Sequence, residues 1–306
     1  MQATVKSDVA LRGAGLHTGK AAALTIRPAS AEYGIWFRRV DLRDCDTLVP
    51  ALWSAVERSP LCTKLVNAEG VSVSTVEHIM AALAGCGVRN ALIDIDGPEV
   101  PILDGSAAPF VRAILEKGLR SQGVATRAIE ILEPVSVSEG MATARLEPLG
   151  GFAMDFGIEF EDAAIGRQRK SLDLANGAFV HELSDSRTFC RKADVENMQA
   201  SGLGLGGTLT NAVVVDGAAV LSPGGMRHGD EPVRHKMLDA VGDLALAGAP
   251  ILGRYVGHRA GHAVTNQLLR KLFETPRAFR MVECDAQAAA RLPGAGVTRE
   301  DALALH

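Results

Sequence analysis

The sequence has few cysteines and no excess of basic residues, and both shortages exclude classes of protein. Its five cysteines are scattered, odd in number and without Cys-x-x-Cys spacing, which excludes a disulfide framework or a cysteine-based zinc site and indicates a reducing compartment. A net charge of −4 gives no support for nucleic-acid binding. No apolar run is long enough to span a membrane, and the N-terminus lacks the apolar core of a signal peptide. We therefore expect a cytoplasmic protein with no integral membrane segment and no nucleic-acid partner.

The chain does contain enough apolar sequence for two cores. Of its 306 residues, 47% are hydrophobic, which argues against disorder and makes two domains the starting expectation. Strands, a helix, a buried strand and a second helix fill residues 1–122, and the same order restarts over 127–283. This faint repeat predicts an α+β fold of two similar sandwich units that face each other across a cleft. Residues 284–306 show no sustained pattern and form a tail.

Hydrophobic periodicity and turn residues predict the individual elements. In the first unit we expect strands at 3–12, 21–27, 35–40, 48–56, 61–66 and 91–96, and helices at 75–87 and 106–117. In the second we expect strands at 128–137, 141–147, 151–160, 211–216 and 251–256, and helices at 175–183, 232–247 and 262–273. Residues 162–170 are predicted to form a polar loop.

The predicted helix 232–247 carries the most informative pattern. His235, Asp239 and Asp243 recur every four residues and so lie on one stripe of the helix. An imidazole and two carboxylates beside apolar neighbours are costly unless they are paired. His-x-x-x-Asp is a spacing at which one helix offers two ligands to a metal ion, but it is also common in surface hydrogen bonds. The spacing alone leaves both interpretations open.

Two further histidines and a glutamate are candidates for the same chemistry. Ser74-x-x-Glu77 matches a capping box, in which Glu77 would bond back to the helix start. The adjacent His78 is either an ordinary half-buried imidazole or a group that reaches a cleft from the first turn. His262 begins an element after a flexible loop, where Asp243 can accept its ring N–H and raise its pKa.

A glycine-rich connection joins the first two strands of the chain. Gly13, Gly15 and Gly19 do not have the spacing of an established phosphate-binding loop, so a simple turn is favoured. His17, at its tip, is expected to be exposed and without a partner.

Six motifs, in this order along the chain, resemble the LpxC family. They are Gly-Leu-His-Thr-Gly (15–19), Ser-Thr-Val-Glu-His (74–78), the run Asn-Ala-Leu-Ile-Asp-Ile-Asp-Gly-Pro-Glu-Val-Pro-Ile-Leu-Asp-Gly-Ser-Ala-Ala-Pro-Phe (90–110), Arg-Thr-Phe (187–189), Val-Arg-His-Lys-Met-Leu-Asp-Ala-Val-Gly-Asp-Leu (233–244) and Gly-His-Ala (261–263). The resemblance extends over about residues 3 to 275. It implies two α+β sandwich domains, each with an insertion, and a cleft between them.

The same resemblance implies zinc-dependent removal of the N-acetyl group from UDP-3-O-[(3R)-3-hydroxyacyl]-N-acetylglucosamine, an early committed step of lipid A biosynthesis. A site with three protein ligands leaves a position for water, which zinc activates; iron(II) suits the same nitrogen and oxygen ligands. The roles implied for residues of this chain are metal ligands at His78, His235 and Asp239; a general base at Glu77; a cationic histidine at His262 with Asp243; and a hydroxyl that polarises the carbonyl at Thr188.

The substrate contacts are also implied by resemblance. Lys236 would meet the phosphate-bearing part, Glu159 and Phe160 would lie near the uracil, and Phe189 would be a further substrate-binding residue. The segment 191–215 matches the insertion that forms the acyl passage, which can be lined by three side chains: Met198, Leu203 and Leu205.

Two other functions are consistent with the residues alone. One is a metal-dependent amidase that acts on a different acylated sugar, and the other is a non-catalytic binding protein with a structural His/Asp stripe. The lipid-linked nucleotide sugar implies transient contact with the inner-membrane surface, although no basic amphipathic helix is present to anchor the chain. We expect a monomer.

Overall fold

The computed structural model describes residues 1–304 and has an α+β fold. Strands and helices alternate irregularly along the chain, and most strand pairs are antiparallel. This agrees with the fold class predicted from the sequence. Within residues 1–304, no helix is both long and apolar enough to cross a membrane.

The first part of the chain contains ten strands and two α-helices. The strands are β1 (Ala3–Val5), β2 (Val9–Ala14), β3 (Ala21–Pro28), β4 (Ile35–Arg39), β5 (Leu48–Pro50), β6 (Val56–Glu57), β7 (Lys64–Val66), β8 (Ser72–Ser74), β9 (Ala91–Ile95) and β10 (Leu119–Ser121). The helices are α1 (Glu77–Cys86) and α2 (Ala108–Lys117), and a 3-10 turn spans Trp53–Ala55.

The second part contains the remaining described elements. Its strands are β11 (Arg127–Ile131), β12 (Val135–Glu139), β13 (Ala142–Glu147), β14 (Phe152–Glu159), β15 (Arg167–Asp173), β16 (Phe189–Arg191), β17 (Val213–Asp216), β18 (Ala219–Val220), β19 (Ile251–His258) and β20 (Phe279–Glu283). Its helices are α3 (Ala178–Glu182), α4 (Lys192–Ala200), α5 (Glu231–Ala245), α6 (His262–Phe273) and α7 (Ala286–Ala289), with 3-10 turns at Pro276–Ala278 and Arg299–Ala304.

Each part of the chain builds its own main sheet. In the first part the strand order is β2-β3-β9-β4-β5, with β4 parallel to β9 and the other pairs antiparallel. In the second part the order is β12-β13-β19-β11-β20, with β14 on β19 and β15 on β14. Small sheets, β6-β7-β8 and β16-β17-β18, lie outside these two. The domain boundaries predicted at 122 and 127 remain a prediction.

The two parts meet through α1 and α5, which pack against each other. Both helices are buried around most of their circumference, as expected for helices enclosed between layers. Gly242 makes the close approach of α1 and α5 possible, because a β-carbon there would lie 2.0 Å from the backbone oxygen of Glu77. The N-terminus of α1 is therefore held against the C-terminal half of α5, which carries Asp239 and Asp243.

Several predicted elements differ from the structure for identifiable reasons. The predicted loop 162–170 is wrong in its second half, because Arg167–Asp173 forms the edge strand β15. The residues of β15 alternate between exposed and half-buried. Backbone hydrogen bonds to β14 stabilise the strand, so it forms although few of its side chains are apolar. The predicted strand 128–137 is two strands separated around Pro134, whose ring removes a backbone donor. The predicted strands 3–12 and 48–56 are likewise each interrupted by a turn.

The described part of the tail is folded. Residues 286–289 form α7, residues 299–304 form a 3-10 turn, and Leu292 and Ala302 are buried. Turns this short have no period that a sequence pattern could reveal. Residues 305–306, the end of the predicted tail, lie outside the described residues.

Candidate active site

The turn before α1 places Glu77 and His78 at the bottom of a cleft. Thr75 has a φ of 58°, which is strained for a β-branched residue. The Thr75 hydroxyl donates to Oε1 of the buried Glu99 at 3.0 Å, and this contact holds the turn. The helix N-cap is Val76, without a side-chain cap, so the capping-box interpretation of Ser74 and Glu77 is wrong. Both side chains of the first turn are instead buried in the site.

Three buried side chains form a group that can hold a metal ion. One ligand atom from each of His78, His235 and Asp239 lies within 4.8 Å of the others. Oδ1 of Asp239 is 3.6 Å from Nε2 of His78 and 3.3 Å from Nε2 of His235, and it has no hydrogen-bond partner within the described residues. A buried carboxylate oxygen without a partner is costly. A cation coordinated by the two imidazoles and the carboxylate would satisfy it, so the donor set fits a divalent metal.

The orientation of His235 is fixed by its other ring nitrogen. Nδ1 lies 3.0 Å from the backbone oxygen of Ser186, and only a protonated Nδ1 can donate to that carbonyl. Burial lowers the pKa of His235 to about 4, so the ring is neutral and its Nε2 lone pair points towards Asp239. A neutral imidazole with one nitrogen anchored to a carbonyl is the usual state of a metal ligand.

A buried ion pair holds the segment that supplies this carbonyl. Glu231, which is 0% exposed, accepts hydrogen bonds from the N–H of Arg187 at 2.9 Å and from Nε and Nη2 of its side chain at 2.9 and 3.1 Å. The N–H of Arg227 adds a fourth bond at 2.6 Å. Glu231 thereby ties the start of α5 to the segment that contains Ser186 and Thr188.

Asp239 is a charged carboxylate in a buried position. Burial alone would raise its pKa, but the surrounding positive groups, including Lys236, hold the pKa well below the usual range. Nζ of Lys236 donates to Oδ2 of Asp239 at 2.8 Å, which leaves Oδ1 directed to the imidazoles. Lys236, which was predicted to contact phosphate, also lines the cavity. In the structure its ammonium group is hydrogen-bonded to Asp239, a candidate metal ligand.

His262 starts α6 and lies next to the metal group. Its Nδ1 is 2.9 Å from Oδ2 of Asp243, and its Nε2 is 3.8 Å from Oε1 of Glu77 and 3.9 Å from Oδ2 of Asp239. Burial alone would lower the pKa of His262, but the carboxylates of Asp243 and Glu77 raise it to about 9. The imidazole is therefore cationic at neutral pH, as the pairing with Asp243 predicted.

Thr63 connects the two acidic groups on either side of His262. Its N–H donates to Oε2 of Glu77 at 3.0 Å, and its hydroxyl donates to Oδ1 of Asp243 at 2.6 Å. Burial raises the pKa of Glu77 above its ordinary value, which makes this carboxylate a stronger proton acceptor. No sequence signal indicated Thr63, because it lies 14 residues from Glu77 and 180 from Asp243.

A cavity of about 1220 Å³ opens from this group. Thr188 lines it beside Phe189, whose ring centroid is 5.4 Å from that of Phe160 and 6.3 Å from that of His235. Thr188 is fixed through its backbone: its N–H donates to the oxygen of Gly105 at 2.8 Å and its carbonyl accepts from Val213. Thr188 and two aromatic residues thus line the same space as the metal group.

The predicted lining of the cavity by segment 191–215 is only partly observed. Met198 on α4 lines the cavity, together with three further apolar residues: Val195, Leu209 and Leu221. Leu203 and Leu205 are not brought to the cavity wall, and Leu205 is 54% exposed. Glu159 also lies outside the wall; its Oε2 accepts from Nη2 of Arg259 at 2.7 Å.

His17 is buried, which corrects the prediction of an exposed residue. The glycine patch 202–207 covers the connection that carries it: the N–H of Leu205 donates to the oxygen of His17, and the N–H of Gly206 to that of Leu16. A β-carbon at Gly206 would lie 2.2 Å from the oxygen of Gly15. Two glycine-rich segments far apart in sequence therefore pack together at the cavity, which His17 lines.

Comparison with known proteins gives a family and close relatives. The model of the LpxC family, UDP-3-O-acyl N-acetylglycosamine deacetylase, matches residues 2–274. The UDP-3-O-acyl-N-acetylglucosamine deacetylase of Phenylobacterium zucineum is 47% identical over 280 residues, which cover 92% of this chain and 96% of the relative. The protein of the same name from Pasteurella multocida is 44% identical over 290 residues, covering 94% of this chain and 95% of the relative.

Proposed function

The chain belongs to the LpxC family of UDP-3-O-acyl N-acetylglycosamine deacetylases, and from this premise we propose that it is a zinc-dependent hydrolase of UDP-3-O-[(3R)-3-hydroxyacyl]-N-acetylglucosamine. The products are the UDP-3-O-acyl-glucosamine with a free amine, and acetate. The reaction belongs to the early part of lipid A biosynthesis. The observation that carries the proposal is the group of His78, His235 and Asp239, with ligand atoms within 4.8 Å, beside a buried glutamate and a cationic histidine.

His78, His235 and Asp239 would hold the ion. When bound, a divalent metal such as zinc supplies Lewis acidity, which favours ionisation of water and polarises an amide carbonyl. Iron(II) suits the same nitrogen and oxygen donors. Identifying the metal requires elemental analysis of the purified protein.

Glu77 is the general base of the proposed reaction. Its Oε2 is held by the N–H of Thr63, so Oε1 is the oxygen available to take a proton from the attacking water. The raised pKa that burial gives this carboxylate moves it towards the range in which a general base works best. The water oxygen then forms the new bond to the acetyl carbon.

Thr188, through its hydroxyl, is assigned the stabilisation of the oxyanion that forms at the acetyl carbonyl. It lines the cavity beside the metal group, and its backbone is fixed by hydrogen bonds to Gly105 and Val213. A donor that is already oriented pays no reorganisation cost as the charge develops.

His262 is the proton donor to the leaving nitrogen. An amine leaves poorly unless it is protonated, and a cationic imidazole is a competent acid. Its Nδ1–H is held by Asp243, so its Nε2–H is available to the nitrogen as the C–N bond breaks. The proton that Glu77 takes and the proton that His262 gives balance the hydrolysis, and solvent restores both groups.

The lining of the cavity supports the assignment of the remaining substrate contacts. Apolar side chains along the insertion suit a fatty chain, which gains about 0.8 kcal/mol for each methylene removed from water. Phe160, Phe189 and Lys236 also line the cavity; we assign the two aromatic faces to a ring of the substrate and the positive charge of Lys236, which is bonded to Asp239, to its phosphates. We also propose that the protein acts in the cytoplasm as a monomer and makes transient contact with the inner-membrane surface.

The test is turnover of the acylated nucleotide sugar, followed as release of acetate and of a primary amine. The expected result is deacetylation that a chelator abolishes and zinc restores, with a much lower rate on UDP-N-acetylglucosamine, which lacks the fatty chain. Equal rates on both would favour an amidase for a different sugar. No turnover by the metal-loaded protein would favour a binding protein.

A further inference from the structure

Thr63 bonds both to Glu77, the proposed base, and to Asp243, the carboxylate that holds the proposed proton donor His262. It is 3% exposed, and it gives its backbone N–H to Glu77 and its hydroxyl to Asp243. Its own carbonyl accepts the N–H of Val76 at 3.4 Å, next to the start of α1. Every polar group of this one residue is therefore used within the site.

The two bonds decide which carboxylate oxygens remain free. With Oε2 of Glu77 occupied by the N–H of Thr63, Oε1 is the oxygen that faces His262, at 3.8 Å from its Nε2. With Oδ1 of Asp243 occupied by the hydroxyl, Oδ2 is left for Nδ1 of the imidazole, at 2.9 Å. Bonds from a neutral donor to a buried carboxylate are stronger than those between neutral groups.

The contact also joins distant parts of the chain. Thr63 directly precedes β7, whereas Asp243 lies on α5, 180 residues later. The base belongs to the first part of the chain, and the proton donor with its carboxylate belongs to the second. A hydrogen bond between these parts keeps the two proton-transfer groups at one separation.

We propose that Thr63 is a positioning residue that holds Glu77 and the Asp243–His262 pair in one fixed arrangement for successive proton transfers. This inference rests on the proposed deacetylase function. Thr63 acts through the carboxylates and touches no reacting atom. Its hydroxyl sets the orientation of Asp243, and through Asp243 the orientation of the imidazole towards the leaving nitrogen.

Thr63→Val tests the hydroxyl alone, because valine keeps the shape of the side chain and the N–H bond to Glu77. On the zinc-loaded full chain we expect kcat on the acylated nucleotide sugar to fall by about tenfold to a hundredfold, the range for loss of a buried hydrogen bond to a charged group. KM should stay within about twofold, because no substrate contact is removed. Thr63→Ser restores the hydroxyl and should return kcat to within about threefold of the wild type.

Thr4→Val is the matched control for buried hydroxyl loss. Thr4 lies on β1 and is 0% exposed, and its hydroxyl accepts the N–H of Ala29 at 3.1 Å. This variant should lower the melting temperature and leave kcat within about twofold. Comparing the kcat values of Thr4→Val and Thr63→Val therefore separates the effect of a general loss of stability from the effect of losing the bond to Asp243.

A double-mutant cycle with Asp243→Asn provides the decisive comparison. If the hydroxyl acts through Asp243, adding Thr63→Val to Asp243→Asn should lower kcat by less than about threefold more, because contacting residues are not additive. Full additivity of the two losses, or a Thr63→Val enzyme with wild-type kcat, overturns the positioning role and leaves the deacetylase function intact. A zinc-loaded wild type that releases no acetate overturns the proposed function and this inference with it.

Discussion

Replacing Glu231 with glutamine should destabilise the protein far more than an ordinary charge removal. Glu231 is 0% exposed and accepts four hydrogen bonds from Arg187 and Arg227. The Arg187 side chain is only 7% exposed, so Glu231→Gln would leave its guanidinium buried without a countercharge. Breaking a buried pair in this way costs about 3–5 kcal/mol in the free energy of unfolding. At about 2–4 °C per kcal/mol for a large domain, the melting temperature should fall by about 6–20 °C.

The measurement is urea unfolding, followed by circular dichroism, of the wild type and two variants. Glu133→Gln is the matched control, because the Arg277–Glu133 pair has side chains that are 80% and 53% exposed and should change stability by less than about 1 kcal/mol. A Glu231→Gln loss no larger than the control's would refute the assignment of this pair as a buried structural link.

The pH dependence of the free energy of unfolding provides a second test of the Arg187–Glu231 pair. Burial alone would raise the pKa of Glu231, but its bonds to Arg187 and Arg227 hold the pKa below the ordinary value. A folded-state pKa below the unfolded value of about 4.3 means that the stabilisation is complete above that pH and is lost as the pH falls through the folded pKa. The stability curves of wild type and Glu231→Gln should therefore converge on acidification. Curves that stay parallel from pH 7 to the acid limit would contradict this.

Three further predictions concern the site. Glu77→Ala should keep one metal ion per chain by elemental analysis and lose about 10²- to 10⁴-fold in kcat, the usual contribution of a general base; a near-normal rate would exclude that role. Asp243→Asn should move the alkaline limb of the rate profile to lower pH, because Asp243 is among the groups that raise the pKa of His262; an unmoved limb would show that His262 does not need this partner. Gly242→Ala should cost about 1–3 kcal/mol of stability and weaken metal binding measured by chelator competition, because its β-carbon would meet the Glu77 oxygen at 2.0 Å; unchanged affinity would separate the α1–α5 contact from the site.

The sequence predicted the site best where several of its residues lie on one helix. His235, Asp239 and Asp243 lie on α5 at fixed spacing, and the helix geometry alone placed them on one face. The three helices that carry the site, α1, α5 and α6, and the α+β class were also predicted correctly, because long apolar periods identify buried helices and strands. For Glu77 the local pattern favoured a capping box, and the structure shows a buried side chain bonded to Thr63 instead.

The residues that the sequence did not reveal depend on contacts between distant segments. Thr63, Glu99 and the Arg187–Glu231 pair have no local signature, since each acts on residues far away in sequence. The edge strand β15 was missed because its pairing with β14, and not its own composition, stabilises it. Burial of His17 follows from the packing of two glycine-rich segments, which neither segment predicts alone.

Titration of the chelator-treated protein with zinc, with acetate release measured at each step, tests the central claim most directly. We predict no turnover without metal, a linear rise that ends at one zinc per chain, and neither tight zinc binding nor turnover in Asp239→Ala. Full turnover by the metal-free protein, or an Asp239→Ala variant that binds zinc and works like the wild type, would contradict a deacetylase built on His78, His235 and Asp239.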